Sequence, residues 1–484
     1  MSKVLKELEP CKVFEYFEAI SNIPRGSGNE KEISDYLVSF AKERNLEVIQ
    51  DKELNVIIKK NATKGYENSP AVILQGHMDM VCEKNLDKEH DFLKDPISLI
   101  VDGDFISADG TTLGGDNGIA VAYMLAILDS NIIEHPPLEV FITTNEEVGM
   151  DGAIGVDPSN FNGKYFINLD SEEEGEFLVS CAGGLKTYIE LPIKWEQKDG
   201  IPIKIMVKGL KGGHSGSEIH QNRGNSNKIL GRLLFELSKQ VDIHVVEIFG
   251  GSKDNAIPRE AYANLIVAEN DINKLEEIIE DTSKIIKNEY KTSDHNLTIV
   301  VDKQTESTKD RVISKDTLDN LLFLLLNVPS GVQTMSFDIE DLVESSLNLG
   351  VVATKEETIK FTISVRSSVG SLKELIQQQL ELFAKKTNSN FVVTGQYPEW
   401  EYRSESKLRE IFIKTYEDMY GKKPLIKAIH AGLECGVLDK KIEGLDMISL
   451  GPNMYDVHTP DERLSISSTK RTWEFVLNVL KNIR

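Results

Sequence analysis

The first part of the chain alternates between helical spacing and short apolar runs. Residues 30–44 carry apolar side chains at intervals of three and four, which predicts an amphipathic helix, and a second helix is predicted at 117–129. Runs typical of buried strands lie at 54–59, 71–75, 137–143 and 164–169. Strands that alternate with helices form a sheet covered by helices. The pattern therefore predicts an α/β fold with a mixed, mostly parallel sheet.

From about residue 187 the pattern changes character. The segment IPIKIMVKGL alternates apolar and polar residues, as a half-exposed antiparallel strand does. Two later segments, ANLIVAENDINKLEEIIEDTSKIIK and IKFTISVRSSVGSLKELIQQQLELFAKK, each read as a strand, a turn and a helix. They are either an internal pseudo-repeat or two occurrences of a common unit. Because α/β character returns after residue 405, we predict a discontinuous domain of residues 1–186 and 397–484 with an inserted α+β domain of residues 187–396.

Five short polar clusters provide ligands for hard metal ions, and four of them directly follow an apolar run. In chain order they are Gly76-His77-Met78-Asp79, the segment TLGGDNG that contains Asp116, Asn145-Glu146-Glu147, Asp170, and Asp456-Val457-His458-Thr459-Pro460. Open α/β sheets build their sites just beyond the carboxyl ends of strands. Acidic pairs also arise by chance among 78 Asp and Glu residues. The prediction of a site therefore depends on the occurrence of all five clusters in one chain. Two imidazoles and at least three carboxylates suffice for two metal ions with a bridging ligand, which favours a two-metal hydrolase.

Composition narrows the choice of partners. The formal charge of −23 on 484 residues argues against nucleic acid or an anionic membrane as a partner. The longest apolar run, at 120–128, is too short to span a bilayer, and the N-terminal MSKVLKELEP has no apolar signal core. The four cysteines form no CxxC pair, which is typical of reduced thiols. We therefore expect a cytoplasmic protein.

Spacing within the clusters suggests some roles and leaves others open. In a strand, alternate residues share one face, so Asp79 is expected to accept the second imidazole N–H of His77 and to fix its tautomer. Asp116 has two interpretations, a helix N-cap or a ligand that its flanking glycines allow close to a metal. Spacing alone does not say which of Glu146 and Glu147 is a ligand and which is a base.

Longer motifs extend over nearly the whole chain, from about Arg25 to Glu462. They are GHMDMVCEK, TTLGGDNGIA, TTNEEVGMDGA, NLDSEEEGE, CAGG, GGHSG, NAIPRE, HAGLECG and DVHTPDE. In this set the chain resembles the aminoacyl-histidine dipeptidases, also called Xaa-His or cytosol non-specific dipeptidases, of the M20 metallopeptidases. The resemblance implies hydrolysis of unblocked dipeptides, Xaa-His and others such as β-Ala-His, by a metal-bridged water. It also implies a catalytic domain that holds the metals and an inserted lid domain.

The resemblance assigns residues to roles. It implies that two divalent ions, zinc with cobalt or manganese as substitutes, are held by His77, Asp116, Glu147, Asp170 and His458, with Asp116 bridging both. Glu146 is then the general base, and Asp79 orients His77. His214, flanked by glycines, is the candidate donor to the oxyanion and is expected to come from the lid domain.

Substrate recognition rests on weaker patterns. A dipeptidase must bind a terminal carboxylate, for which Arg366 at the end of a predicted strand is our choice. Asn255 is expected to help place the peptide, and His430 and Glu434, in a glycine-flanked loop of the returning domain, to line the pocket of the leaving residue. A small peptide is the expected partner, and a homodimer is compatible but not required. The alternatives are another M20 activity (tripeptidase, deacylase or carboxypeptidase) and a non-catalytic binding protein on the same fold.

Overall fold

The computed structural model describes residues 4–484, and this part of the chain forms two compact units. The first unit comprises residues up to Ser180 together with Tyr402–Ala428 and Leu433–Arg484, and the second comprises Cys181–Glu401 and Ile429–Gly432. The helices are α1 (Cys11–Ser21), α2 (Lys31–Glu43), α3 (Gly115–Asp129), α4 (Glu146–Gly149), α5 (Asp151–Gly155), α6 (Ser226–Ser238), α7 (Ile272–Glu289), α8 (Lys315–Asn327), α9 (Gly370–Lys386), α10 (Lys407–Tyr420), α11 (Glu434–Lys441) and α12 (Ile466–Asn482).

The strands are β1 (Glu47–Gln50), β2 (Val56–Lys60), β3 (Val72–His77), β4 (Leu99–Asp102), β5 (Phe105–Ala108), β6 (Leu138–Thr143), β7 (Tyr165–Asn168), β8 (Glu176–Cys181), β9 (Gly183–Pro192), β10 (Trp195–Lys208), β11 (Gly213–His214), β12 (His244–Gly250), β13 (Ala256–Ile257), β14 (Ala261–Val267), β15 (Thr298–Lys303), β16 (Thr308–Ile313), β17 (Gly331–Met335), β18 (Val343–Thr354), β19 (Thr358–Ser367), β20 (Asn390–Tyr397), β21 (Leu425–Ile429), β22 (Asp446–Ser449), β23 (Met454–Tyr455) and β24 (Arg463–Ser465).

The first unit contains an eight-stranded mixed sheet in the order β1-β2-β6-β3-β7-β22-β8-β21. The neighbouring pairs β6–β3, β3–β7 and β7–β22 are parallel, whereas β1–β2, β2–β6 and β22–β8 are antiparallel. The α/β class is therefore confirmed, with the parallel pairing confined to the centre of the sheet. The carboxyl ends of β6, β3, β7 and β22 consequently lie side by side, as a site at that edge requires.

Helix α3 explains an unusual run of the sequence. Nearly every residue from Asn117 to Leu128 is buried, because the helix packs on α1 as well as on β3. A helix that is apolar on all sides is one that is enclosed on all sides. Its last carbonyls, those of Ile127, Leu128 and Ser130 at the helix end, accept hydrogen bonds from Lys60 Nζ. This lysine satisfies backbone groups that a helix leaves without partners.

The second unit is built on a ten-stranded antiparallel sheet in the order β15-β10-β14-β12-β18-β19-β9-β20, with β16 paired to β10 and β17 to β18. The sheet consists of two halves with the same arrangement of elements. The first half contains the strands β15-β10-β14-β12 and the helices α6 and α7, and the second half contains the strands β20-β9-β19-β18 and the helices α8 and α9. The halves join where β12 pairs with β18, through Phe249–Ala353 and Gly250–Val352. The two segments that look alike in sequence fall on β14–α7 and on β19–α9, which are equivalent positions.

The division of the chain differs from the predicted boundaries. The first unit ends at Ser180 and resumes at Tyr402, where the sequence predicted residues 186 and 397. Segment 429–432 belongs to the second unit although its chain neighbours belong to the first. The backbone N–H of Ala182 donates to the carbonyl groups of Ile429 (3.1 Å) and Ala431 (3.0 Å), which attaches this segment to the start of the second unit. Across residues 4–484, no helix combines the length and apolarity needed to cross a membrane.

Candidate active site

The predicted metal ligands all lie in the first unit. His77 is the last residue of β3, Glu147 lies in the first turn of α4 just after β6, and Asp170 follows β7. Asp116 lies at the start of α3, and His458 lies in the loop after β23. Three of the five therefore stand where central strands of the sheet end, as the sequence pattern predicted.

Asp116 is the centre of the cluster. Its Oδ1 lies 3.1 Å from Nε2 of His77, and its Oδ2 lies 3.2 Å from Nε2 of His458. Asp170 Oδ1 approaches His77 Nε2 to 3.5 Å, and Glu147 Oε2 approaches His458 Nε2 to 3.0 Å. The two sets His77–Asp116–Asp170 and Asp116–Glu147–His458 each place their ligand atoms within 4.8 Å of one another. One carboxylate is thus shared by two ligand sets, the arrangement expected of a bridging ligand.

The electrostatics of the cluster favour positive charge. Hydrogen bonds to Asp116 and Glu147 raise the pKa of His458 to about 11. Burial by itself lowers the pKa of His77, but the carboxylates of Asp170 and Asp116 raise it well above the ordinary value. Burial, and then the charges of Asp116 and Glu146, raise the pKa of Asp170. Carboxylates that repel one another beside two imidazoles are the donor set that divalent ions such as Zn²⁺ bind, so these residues fit a two-metal site.

Asp79 contacts the residues that it was predicted to orient, although by a different geometry. β3 ends at His77, so Asp79 lies beyond the strand and the alternation of strand faces does not apply. Its Oδ1 is nevertheless 3.4 Å from His77 Nδ1. Its carboxylate also accepts the backbone N–H groups of Glu146 (3.1 Å) and Glu147 (3.3 Å) and the hydroxyl of Ser27 (2.8 Å). The hydrogen bond of His77 Nδ1 is to the main-chain carbonyl of Asp79 at 3.1 Å, so Asp79 holds the imidazole mainly through its backbone and the start of α4 through its carboxylate.

Glu146 differs from its neighbour in electrostatic environment. Burial raises the pKa of Glu146 to about 8, against the opposing charge of His77, and the negative charges of Glu434 and Glu147 act in the same direction as burial. A carboxyl group whose pKa lies near neutrality can both accept and release a proton at physiological pH. His77, Glu146 and Glu147 also form a third set of ligand atoms within 4.8 Å.

Four of the five remaining predicted residues, His214, Asn255, Arg366 and His430, come together in the second unit. His214 on β11 pairs with Ala256 on β13, so Asn255 is adjacent, and its carbonyl accepts the N–H of Ser215 at 2.9 Å. Arg366 lies on β19, and its guanidinium is close enough to lower the pKa of His214, after burial as the larger cause. This polar cluster is the second unit's candidate binding surface.

His430 belongs to the same cluster. The sequence placed it in the returning domain, but it lies in the segment that the second unit includes, and this prediction of its location was wrong. Its Nε2 and the Ser346 hydroxyl are 2.7 Å apart. Burial, followed by the charge of Arg366, lowers its pKa to about 3, so the imidazole is neutral at physiological pH.

Glu434 does not line an open pocket as expected. It is fully buried in the first unit, where its Oε2 accepts hydrogen bonds from Gln75 Nε2 (2.5 Å) and Thr143 Oγ1 (2.7 Å). Asn168 Nδ2 donates to Gln75 Oε1 (2.6 Å), and Ser449 Oγ donates to Asn168 Oδ1 (2.5 Å). These side chains form a polar row across β6, β3, β7 and β22 beneath the ligands. The signal for the row was available, since Gln75 and Asn168 are polar residues inside otherwise apolar runs.

Comparisons with known proteins agree with this site and fold. A family profile described as "Peptidase dimerisation domain" (M20_dimer) matches residues 205–294. The chain is 38% identical to the cytosol non-specific dipeptidase of Escherichia coli strain K12 over 99% of both proteins. It is 37% identical to aminoacylhistidine dipeptidase from Vibrio alginolyticus, with a TM-score of 0.94 over 99% of this chain and 98% of that one. Aminopeptidase PepT from Bacillus cereus, at 15% identity, a TM-score of 0.57 and coverage of 98% of this chain and 99% of that one, shares the fold. The chain therefore belongs to the M20 family of metallopeptidases and, within it, to the dipeptidases.

Proposed function

We propose that this enzyme hydrolyses the peptide bond of unblocked dipeptides in the cytoplasm, including dipeptides with C-terminal histidine such as β-Ala-His. The observation that carries the proposal is the carboxylate of Asp116, whose two oxygens face His77 and His458 on opposite sides. It occurs in a chain that is similar over its full length to a cytosol non-specific dipeptidase and to an aminoacylhistidine dipeptidase.

The two ligand sets define two divalent sites, which we assign to zinc. His77, Asp116 and Asp170 would hold one ion, and Asp116, Glu147 and His458 would hold the other, with Asp116 common to both. When bound, such ions would polarise the scissile carbonyl and lower the pKa of the attacking water. Asp79 keeps His77 in the orientation that this requires, because it contacts Nδ1 and leaves Nε2 for the metal.

Glu146 is the proton carrier of the reaction. Its carboxylate accepts a proton from the attacking water and passes it to the departing amine. Burial keeps this carboxyl group away from bulk water and raises its pKa above the ordinary value, which favours proton transfer in both directions. Glu147 is the ligand, since its carboxylate is hydrogen-bonded to His458.

His214 supplies a hydrogen-bond donor for the negative charge on the carbonyl oxygen. Its Nδ1 accepts the backbone N–H groups of Gly216 (3.3 Å) and Ser217 (3.2 Å). Burial and the charge of Arg366 lower its pKa, so the ring is neutral and carries its proton on Nε2. A neutral imidazole with Nε2–H is the tautomer that an oxyanion needs. Arg366 binds the C-terminal carboxylate of the dipeptide, with Asn255 and His430 in the same cluster.

The second unit, in our interpretation, is an inserted lid domain that arose by internal duplication. The matched dimerisation profile, at 205–294, covers only the half that contains β14 and α7. The other half repeats the same strand order around the β12–β18 pair. A homodimer is compatible with this arrangement but not required by it.

Metal analysis combined with a substrate panel tests the proposed function. The purified chain should contain two zinc equivalents and should cleave dipeptides faster than tripeptides or N-acyl amino acids. Glu147→Ala should lose metal together with activity. Glu146→Ala should retain two metals while kcat falls by about 10²–10⁴-fold, the range for loss of a positioned base. A Glu146 variant that loses its metal beside a Glu147 variant that keeps it would reverse the two roles, and preference for blocked substrates would overturn the dipeptidase assignment.

A further inference from the structure

Glu462 has a set of hydrogen bonds that the proposed mechanism does not use. Its side chain is buried, with 2% exposure. Its Oε2 accepts the backbone N–H groups of Leu113 (2.8 Å) and Gly114 (3.0 Å), and its Oε1 accepts those of Gly115 (2.8 Å) and Asp116 (3.3 Å). One carboxylate thus binds four consecutive backbone groups of the loop that leads into α3. Leu113 and Gly114 precede α3, and Asp116 has a non-helical backbone conformation, so no helical turn satisfies these groups.

This contact leaves the side chain of Asp116 available for other partners. A helix that starts with an aspartate commonly uses that carboxylate as its own cap. Here Glu462 supplies the acceptor and the negative charge at the helix start, and Asp116 turns instead to His77 and His458. A Cβ at Gly115 would lie 3.3 Å from Oε1 of Glu462, so a larger residue there would displace the carboxylate by a few tenths of an ångström.

Glu462 itself belongs to the loop that carries His458. Glu462 follows His458 by four residues, and its N–H donates to the Thr459 carbonyl at 3.1 Å. The Thr459 hydroxyl donates to the Asp456 carbonyl at 2.7 Å, which closes the turn. His458 itself adopts a φ of 64°, a left-handed conformation that is uncommon outside glycine. Glu462 therefore ties the His458 turn to the Asp116 loop, which lies more than 340 residues earlier in the chain.

We propose that Glu462 is a positioning residue that sets the separation of Asp116 and His458 and thereby controls binding of the second metal ion. The inference rests on the two-metal assignment of the proposed function. The set His77–Asp116–Asp170 has two of its members on or directly after strands that Glu462 does not contact. In the set Asp116–Glu147–His458, two of the three residues, Asp116 and His458, lie in the loops that Glu462 joins. Loss of this carboxylate should weaken the second site much more than the first.

Glu462→Gln tests the proposal with little change in shape. The amide keeps one accepting oxygen, so two of the four backbone N–H groups lose their acceptor. Metal-free protein is titrated with Co²⁺, and the two binding steps are followed by calorimetry and by visible absorption, which reports the geometry of each site. We expect the first step to stay within about threefold of wild type and the second to weaken by about 10–100-fold, as for other groups that orient metal ligands.

Glu139→Gln is the matched control. Glu139 is also a buried carboxylate of the first unit, with 4% exposure, and it accepts the N–H groups of Asn162 (2.9 Å) and Gly163 (3.0 Å). It lies near the start of β6, at the opposite end of the strand from the metal ligands. The Glu139→Gln substitution should lower the midpoint of thermal unfolding and leave both Co²⁺-binding steps unchanged. Equal weakening of both steps in the Glu462 variant, or the same pattern in the Glu139 variant, would overturn the proposal.

Gly115→Ala provides a second route if Glu462→Gln folds poorly. Its new Cβ would press on Oε1 of Glu462 without removing the carboxylate, so the same selective loss should appear in weaker form. Unchanged second-site binding in both variants would refute the role of Glu462. A wild-type protein that binds a single Co²⁺ would refute the two-metal assignment itself, and that result is visible before any variant is made.

Discussion

Removing the charge from a dipeptide's C-terminus tests whether Arg366 recognises it. The free acid can receive charge-assisted hydrogen bonds from the guanidinium, whereas the C-terminal amide cannot receive them as a carboxylate does. Such a contact is worth about 1.5–3 kcal/mol. Amidation should therefore lower kcat/KM about ten- to hundred-fold. Arg366→Ala should cause a similar loss with the acid and little further loss with the amide, because the contact is already absent.

Tyr397 allows a finer test of the same contact. Its hydroxyl accepts a hydrogen bond from Arg366 Nη1 at 3.0 Å, which fixes the plane of the guanidinium. The ring occupies space left by two glycines, because a Cβ at Gly184 would lie 2.5 Å from it and a Cβ at Gly432 would lie 2.8 Å from it. Tyr397→Phe keeps the ring and removes one hydrogen bond of about 0.5–1.5 kcal/mol. We expect a loss of about two- to tenfold with the acid and none with the amide.

The assay is a set of kcat/KM measurements on the acid and amide of one dipeptide with each variant. Arg311→Ala is the control, since its guanidinium lies 3.9 Å above the Trp195 ring elsewhere in the second unit. It should leave the ratio of acid to amide rates unchanged. Near-equal rates for acid and amide in the wild type would refute carboxylate recognition, and so would an Arg366→Ala loss of equal size on both substrates.

Two further predictions concern the histidines of the second unit. His214→Ala should lower kcat by about 10²–10³-fold with a smaller change in KM and an unchanged metal content, and an unaltered kcat would remove it from the mechanism. The lowered pKa of His430, about 3 against an ordinary 6.5, means that the folded state excludes a proton which the unfolded chain takes up below pH 6.5. The contribution of His430 to the free energy of unfolding is therefore independent of pH above 6.5. Below that pH it lowers the free energy of unfolding by about 1.4 kcal/mol per pH unit, down to about pH 3. His430→Gln should lose less stability than wild type between pH 6.5 and 4 in urea unfolding, and parallel curves would contradict this reasoning.

Several of the predicted ligands have a local signal in the sequence. His77 and Asp170 stand directly at the ends of apolar runs that became β3 and β7, and such positions carry ligands in open sheets. The signal for the helix predicted at 117–129 was also local, because it is an uninterrupted apolar run that ends at Asp129. In each case the signal and the structure lie within one element.

What escaped prediction depends on partners that are distant in the chain. The link from Glu462 to residues 113–116 has no local signature, because a glutamate after a Thr-Pro-Asp turn is ordinary on a surface. Segment 429–432 joins the second unit through backbone hydrogen bonds from Ala182, which no side-chain pattern reports. Asp79 was expected to face His77 as an alternate residue of one strand, but β3 ends at His77. The carboxylate of Asp79 lies 3.4 Å from His77 Nδ1, and the Asp79 carbonyl is closer at 3.1 Å.

The adjacent residues Glu146 and Glu147 illustrate why spacing could not separate a base from a ligand. Both backbone N–H groups bind the Asp79 carboxylate, so the two residues share one anchor and differ only in the direction of their side chains. The Glu147 carboxylate lies 3.0 Å from the His458 imidazole, which belongs to the same set of ligand atoms. Burial raises the pKa of Glu146, and the charge of the nearby Glu434 acts in the same direction. Two residues of the same type at consecutive positions thus have different partners, and these partners lie about 300 residues further along the chain.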